Sequence, residues 1–239
     1  MTLPASAACP AQRGFTLLEM AIILVIVGML VAGVMQGQQL IQNARVRSLI
    51  AEQDAAATAV IAFQDRYKAL PGDYAEAHLM IPCVPACPSG NGNGRVEDAT
   101  TPSESILAWA HMSGAGLLNG NFTATSSTTT VTPENAPRNA TGGFLQLAFD
   151  NKWGYSANPA RRHNIKTGNN VAVEILAEVD RKIDDGLPAS GRFQFSTYAA
   201  DADAPTWGAG GTHCLTADGP TAIWNVGGGQ VNCGAATLL

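Results

Sequence analysis

Glu19 is the residue whose position has the sharpest chemical consequence. It is the one charged residue in the 21-residue stretch from Phe15 to Met35, which is otherwise almost wholly apolar. About 20 such residues cross a bilayer core as a helix. A carboxylate inside that core costs about 2.5–3.5 kcal/mol on insertion scales. An acid kept there calls for a positive partner, because stripping either ion of water alone costs several kcal/mol. An ordinary signal anchor with a stray acid and a cleaved secretory signal with a tolerated one are the plain alternatives.

Two further groups carry candidate chemistry. Cys83, Cys87, Cys214 and Cys233 allow three disulfide connectivities. Local pairing favours Cys83–Cys87 and Cys214–Cys233. A zinc site is the rival, but the C-x-x-x-C spacing lacks nearby histidines and a matching second pair. The stretch from Ser89 to Asp98 sets oxygen-bearing side chains at alternate positions, then Gly94, then the aliphatic Val96, like the front of a calcium loop. Its ligands would be Asn91, Asn93 and Glu97 or Asp98. Ser89 stands where the first aspartate belongs and Thr100 where the bidentate glutamate belongs. The plain reading is a Gly-Asn turn beside the Cys83–Cys87 pair, with no cofactor. The histidines, His78, His111, His163 and His213, accompany no metalloprotease, nucleophile-elbow, P-loop or dinucleotide motif. Asp184-Asp185 reads as a solvated helix end. Trp109 reads as core and His111 as surface. The sequence therefore points away from an enzyme.

The elements that must position these residues begin with one long helix. Beyond Met35 the chain turns polar, but Leu40, Ile41, Ala44, Val46, Leu49, Ile50, Gln53, Ala57, Val60, Ile61 and Tyr67 keep a spacing of three and four. Pro71-Gly72 ends that pattern. The helix from Phe15 to about Lys68 would be ~80 Å long at about 1.5 Å per residue. Gly28, Gly33 and Gly37 weaken it locally. A second helix is expected over Glu104–Leu118, capped by Ser103 or Thr101. A third runs through Val171 to Ile183, capped by Asn169 or Asn170 and closed by Gly186 and Pro188. Strands are expected over Gly143–Phe149, Lys152–Ala157 and Gly191–Tyr198. Thr123–Asn139 reads as an exposed loop, and the tail from Ala199, with Trp207 and Trp224 between glycines, as a loop stapled by Cys214–Cys233.

Composition agrees. Of 239 residues 46% are hydrophobic and 14% charged, below the roughly 25% charged of soluble domains. The formal net charge of −5 shows no basic footprint for nucleic acid.

Gly14-Phe15-Thr16-Leu17-Leu18-Glu19, behind a short leader carrying Arg13, resembles the processing site of type IV prepilins and type II secretion pseudopilins. The resemblance implies that a membrane prepilin peptidase cuts after Gly14 and N-methylates Phe15. It implies that Glu19 faces the terminal amine of a neighbouring pilin or pseudopilin subunit during assembly. Residues 1–14 are then a leader, which carries off Cys9 and Arg13 and takes the net charge to −6. Residues 15–70 are the long helix, with 15–35 its transmembrane and assembly segment, and residues 71–239 a globular head. The implied fold is α+β: a long N-terminal helix packed on a small antiparallel-sheet head with extra short helices. The implied setting is the bacterial inner membrane, with a single pass and a periplasmic head, then a pilus or pseudopilus raised by an inner-membrane assembly platform. The rival is a membrane-anchored extracytoplasmic binding domain that does not polymerise. Ala69-Leu70-Pro71-Gly72-Asp73-Tyr74, Glu104–Leu118 and Asp180–Pro188 resemble pieces of one subset of the same family.

Overall fold

A computed structural model describes residues 15–83, 86–157, 160–200, 203–206 and 213–239. The leader with Cys9, Arg13 and Gly14, and also Trp207, lie outside the described residues.

Helix α1 runs from Leu17 to Tyr67. No proline interrupts it, and it stops where Lys68 turns left-handed at φ 54° ahead of Pro71. Contacts divide the chain into two units, 1–43 and 44–239, so the boundary falls inside α1. The described residues of the first unit are exposed apolar helix from Leu17, with Leu17 93% and Phe15 75% accessible.

The second unit is the head. After α1 come α2 (Ala77–Met80), α3 (Glu104–Gly114), β1 (Gln146–Asp150), β2 (Arg162–Lys166), α4 (Val173–Ile183), β3 (Phe193–Phe195) and β4 (Ala235–Leu238). The four strands form one sheet in the order β1-β2-β4-β3, antiparallel throughout. From Ala44 onward α1 supplies apolar side chains to two clusters. Ala56, Val60 and Phe63 join Ile106, Leu107 and Trp109 of α3, Leu147 of β1 and Ile165 of β2. Val46 and Leu49 join Val173, Leu176 and Val179 of α4, Phe193 and Phe195 of β3, and the Cys214–Cys233 pair. The Thr237 hydroxyl of β4 donates to the Gln53 amide oxygen of α1 at 3.0 Å, which fixes where helix and sheet meet.

Both sheet edges are engaged. Phe149 N–H of β1 donates to the Val96 carbonyl, and Phe195 N–H of β3 donates to the Pro188 carbonyl. Each edge is thus partly occupied by a neighbouring loop. A third, small cluster packs Trp153 with Ala236 and Leu238.

Several expected boundaries move. The second helix ends at Gly114, and Gly116, at φ 71°, lies in the turn that follows. Its first amide, that of Glu104, is received by the Thr100 hydroxyl, while the Ser103 hydroxyl donates to Asp98. Helix α4 starts after Ala172; Asn170 is left-handed at φ 63° and Asn169 is buried. The strand expected at 152–157 is a single bridge, Trp153 to Ser196. Strands β2 and β4 were not expected at all.

Candidate functional site: the N-terminal segment and the loops that hold the head

Thr16 caps α1. Its hydroxyl oxygen accepts the Glu19 N–H at 3.2 Å, and its carbonyl accepts the Met20 N–H. Thr16 and Glu19 therefore occupy the cap and third helical positions, the Thr-x-x-Glu spacing of a capping box. Glu19 sits in the first turn, where the helix dipole favours a negative charge. Its carboxylate has no hydrogen-bond or ion-pair partner among the described residues. Every residue from Met20 to Ala44 is uncharged. A helix long and apolar enough to cross a membrane therefore begins with one unpaired acid three residues inside its cap. No atom stands within 4 Å of a Cβ placed on Gly28, Gly33 or Gly37, so a second helix has room to approach there.

In the head, the loop read as half a calcium site is built on two buried carboxylates that the sequence reading did not single out. Asp73 is 4% exposed and accepts the Asn93 and Gly94 amides at 2.9 and 2.8 Å. Glu104 is 1% exposed and accepts the Asn91 and Glu97 amides, both at 3.0 Å. Burial raises the Glu104 pKa above the usual carboxylate range, against those two hydrogen bonds. The four expected ligands are engaged by protein donors. Asn91 Oδ1 accepts from Asn93 N–H, and Asn93 Oδ1 from Arg95 N–H. Glu97 Oε2 accepts from Asn93 Nδ2, and Asp98 Oδ1 from the Ser103 and Ser105 hydroxyls. The alternating Asn-Gly pattern thus presents amides to carboxylates. Gly72, at φ 91°, has no room for a Cβ against the Glu104 carbonyl, so the Pro71-Gly72-Asp73 turn requires glycine there.

His111 corrects the surface expectation. It is fully buried; its Nδ1 accepts the Gly72 N–H at 3.0 Å and its Nε2 donates to the Pro88 carbonyl at 2.8 Å. It clamps the turn after α1 to the loop that follows Cys87. Burial drops its pKa to about 4, so the ring is neutral at physiological pH.

Both local disulfides are present, Cys83–Cys87 and Cys214–Cys233. The stretch Asp180–Pro188 is an anchor for β3 and the stapled tail. Asp180 accepts the Trp224 indole N–H at 2.7 Å and the Gly186 N–H at 3.2 Å. Asp184 receives the Arg192 and Phe193 amides, and Asp185 receives Leu187 N–H and the Ser190 hydroxyl. The paired acid is thus a turn scaffold with its acceptors in use. Burial pushes the Asp180 carboxyl up to about 6, against the Trp224 hydrogen bond. These three aspartates also form a group with oxygens within 4.8 Å of one another. The amide, indole and hydroxyl donors account for that convergence.

A capped, membrane-length helix with one intramembrane acid, joined to an α+β head, is a type IV pilin-like architecture. Comparison with known families agrees: the prokaryotic N-terminal methylation motif matches residues 9–35. The chain therefore carries the prepilin-type cleavage and methylation signal of type IV pilins and pseudopilins. No curated protein and no solved structure matches it.

Proposed function

We propose that the chain is a structural subunit of a type IV pilus or secretion pseudopilus. Prepilin peptidase removes residues 1–14 and N-methylates Phe15. The segment 15–35 holds the subunit in the inner membrane with its head, 71–239, on the periplasmic side. An assembly platform then stacks the subunits through the same helix. The observation that carries this reading is the unpaired Glu19 carboxylate, one turn into an uncharged helix and directly behind the matched processing signal. In a low dielectric it is satisfied by the freed amine of Phe15 on the next subunit, and any other stagger leaves a charge unpaired. The acid thereby sets register.

The large, loop-rich head suits a minor or specialised subunit better than a major one, whose head must tile against itself. The described head shows turn and clamp roles for its acids and for His111, which supports a structural subunit over a catalyst. Glu19→Ala tests the central step. The variant is expected to be processed normally yet absent from the sheared fibre fraction; wild-type incorporation would refute the register role. An anchored binding domain that never polymerises would show no dependence on Glu19.

A further inference from the structure

At one corner of the sheet the head forms an open pocket of about 570 Å3. It lies wholly within residues 44–239, so it is independent of how residues 15–43 assemble. One side is apolar: Val60 and Ile61 of α1, Leu70 of the following join, and Leu238 of β4. The other side carries two arginines.

Strand register places them. Leu238 lies opposite Asn164 of β2, and its N–H donates to the Arg192 carbonyl just before β3. Arg162, at the start of β2, and Arg192 therefore flank the end of β4 from either side. Arg192 Nε donates to the Leu238 carbonyl at 3.1 Å, which fixes that guanidinium. Neither arginine forms an ion pair among the described residues. Lys68 pairs with Asp65, Lys166 with Asp150, and Arg181 and Lys182 with Glu178, so none of these carboxylates is spent on either pocket arginine. Two exposed guanidiniums thus stand among the lining residues of one pocket. Their fork geometry matches a carboxylate. His163 adds a third polar group: its Nε2 accepts the Val96 N–H at 3.3 Å, so the neutral ring carries its proton on Nδ1.

We propose that this cavity binds a small amphiphilic carboxylate, its head on Arg162 and Arg192 and its apolar body against Val60, Ile61, Leu70 and Leu238. A concave apolar site with a few convergent polar groups is the usual form of a small-ligand site. The ligand is one whose charge and tail are both required.

The full-length mature chain in neutral lipid nanodiscs is titrated calorimetrically with octanoate, with octanol and with acetate. An Arg162→Gln/Arg192→Gln variant in the same discs subtracts partition into lipid. A chain with a short neutral extension after Leu239 runs alongside, so that a carboxylate at that position does not compete. Saturable one-site binding of octanoate is expected, with octanol and acetate each about tenfold weaker or more. Each single arginine variant should weaken octanoate about tenfold, and Arg181→Gln should leave it unchanged. Ile61→Trp fills the cavity from an exposed position and should abolish binding without unfolding the head. Equal octanoate heats in wild type and double variant overturn the proposal. So does octanol binding as tightly as octanoate, acetate binding as tightly as octanoate, or full affinity in Ile61→Trp.

Discussion

Two buried titratable residues, His111 and Asp180, pull stability in opposite directions over one pH range. His111 is held at about 4 against an ordinary 6.5, so the unfolded chain takes up a proton in that interval while the native chain does not. Its contribution is fully present above pH 6.5 and falls by about 3 kcal/mol as pH drops to 4. Asp180 is raised to about 6 from 3.8, so here the native state holds its proton longer. Its contribution is complete below pH 3.8 and is lost as pH rises through 6. Between pH 4 and 6 the two slopes oppose. Denaturant melts across that range should therefore be shallow in wild type. They should rise more steeply with pH in Asp180→Asn and fall with pH in His111→Gln; parallel profiles in all three proteins would contradict both assignments. The calcium reading is tested at the same scale. With the side-chain oxygens of Asn91, Asn93, Glu97 and Asp98 each accepting a protein donor, calorimetry should show no calcium heat up to millimolar. Saturable heat would restore a cation to the loop, with Asp73 and Glu104 as its missing carboxylates. Neither acid was legible as part of this loop, because Asp73 is 20 residues from Asn93 and Glu104 is 13 from Asn91. His111 was misread for a related reason: both its partners, Gly72 and Pro88, come from distant turns.

At the scale of elements, α1 was legible almost to the residue, since a continuous apolar run and then a three-four stripe are strong periodic signals. Helix α3 begins at the expected Ser103 cap, though Thr100 rather than Ser103 receives the Glu104 amide, and it ends short of Leu118; helix α4 is capped by Ala172 rather than by Asn169 or Asn170. Strand β2 was missed because Arg162-His163-Asn164-Ile165-Lys166 reads as a polar run. It is a strand because the sheet buries its end: Lys166 is fully buried, paired with Asp150 at 2.6 Å and with the Gln146 amide oxygen at 2.9 Å. The Lys166 ammonium holds the Asp150 carboxyl below the usual range, against the burial that would raise it. Strand β4 was missed because Ala235-Ala236-Thr237-Leu238 is weak in β-propensity, and its central place between β2 and β3 overrides that preference. It begins two residues after Cys233, so the Cys214–Cys233 bond tethers the loop that delivers the strand to the sheet centre. Replacing both cysteines by serine should cost about 3 kcal/mol, the value for a loop of this length. Thermal melts read it as a lowered Tm; an unchanged Tm would mean that Asp180–Trp224 and the strand ladder hold the tail unaided.

For the whole molecule, the division at Asn43 matches a division of labour. The described part of the first unit, residues 15–43, is apolar helix whose one charge is Glu19, and its membrane-length window is not buried in the chain. Such a segment is stable in a membrane or against copies of itself, and exposed to water it aggregates. The head is self-sufficient, with α1 from Ala44 threading both of its clusters. On the proposed function, processing turns the first unit from an anchor into a stackable part by freeing the Phe15 amine for Glu19 of a neighbouring subunit. The most direct measurement is the mass of the purified chain's N-terminal peptide after expression with a prepilin peptidase. The account predicts a chain that begins at N-methylated Phe15. A chain that keeps residues 1–14 in the presence of active peptidase would contradict it.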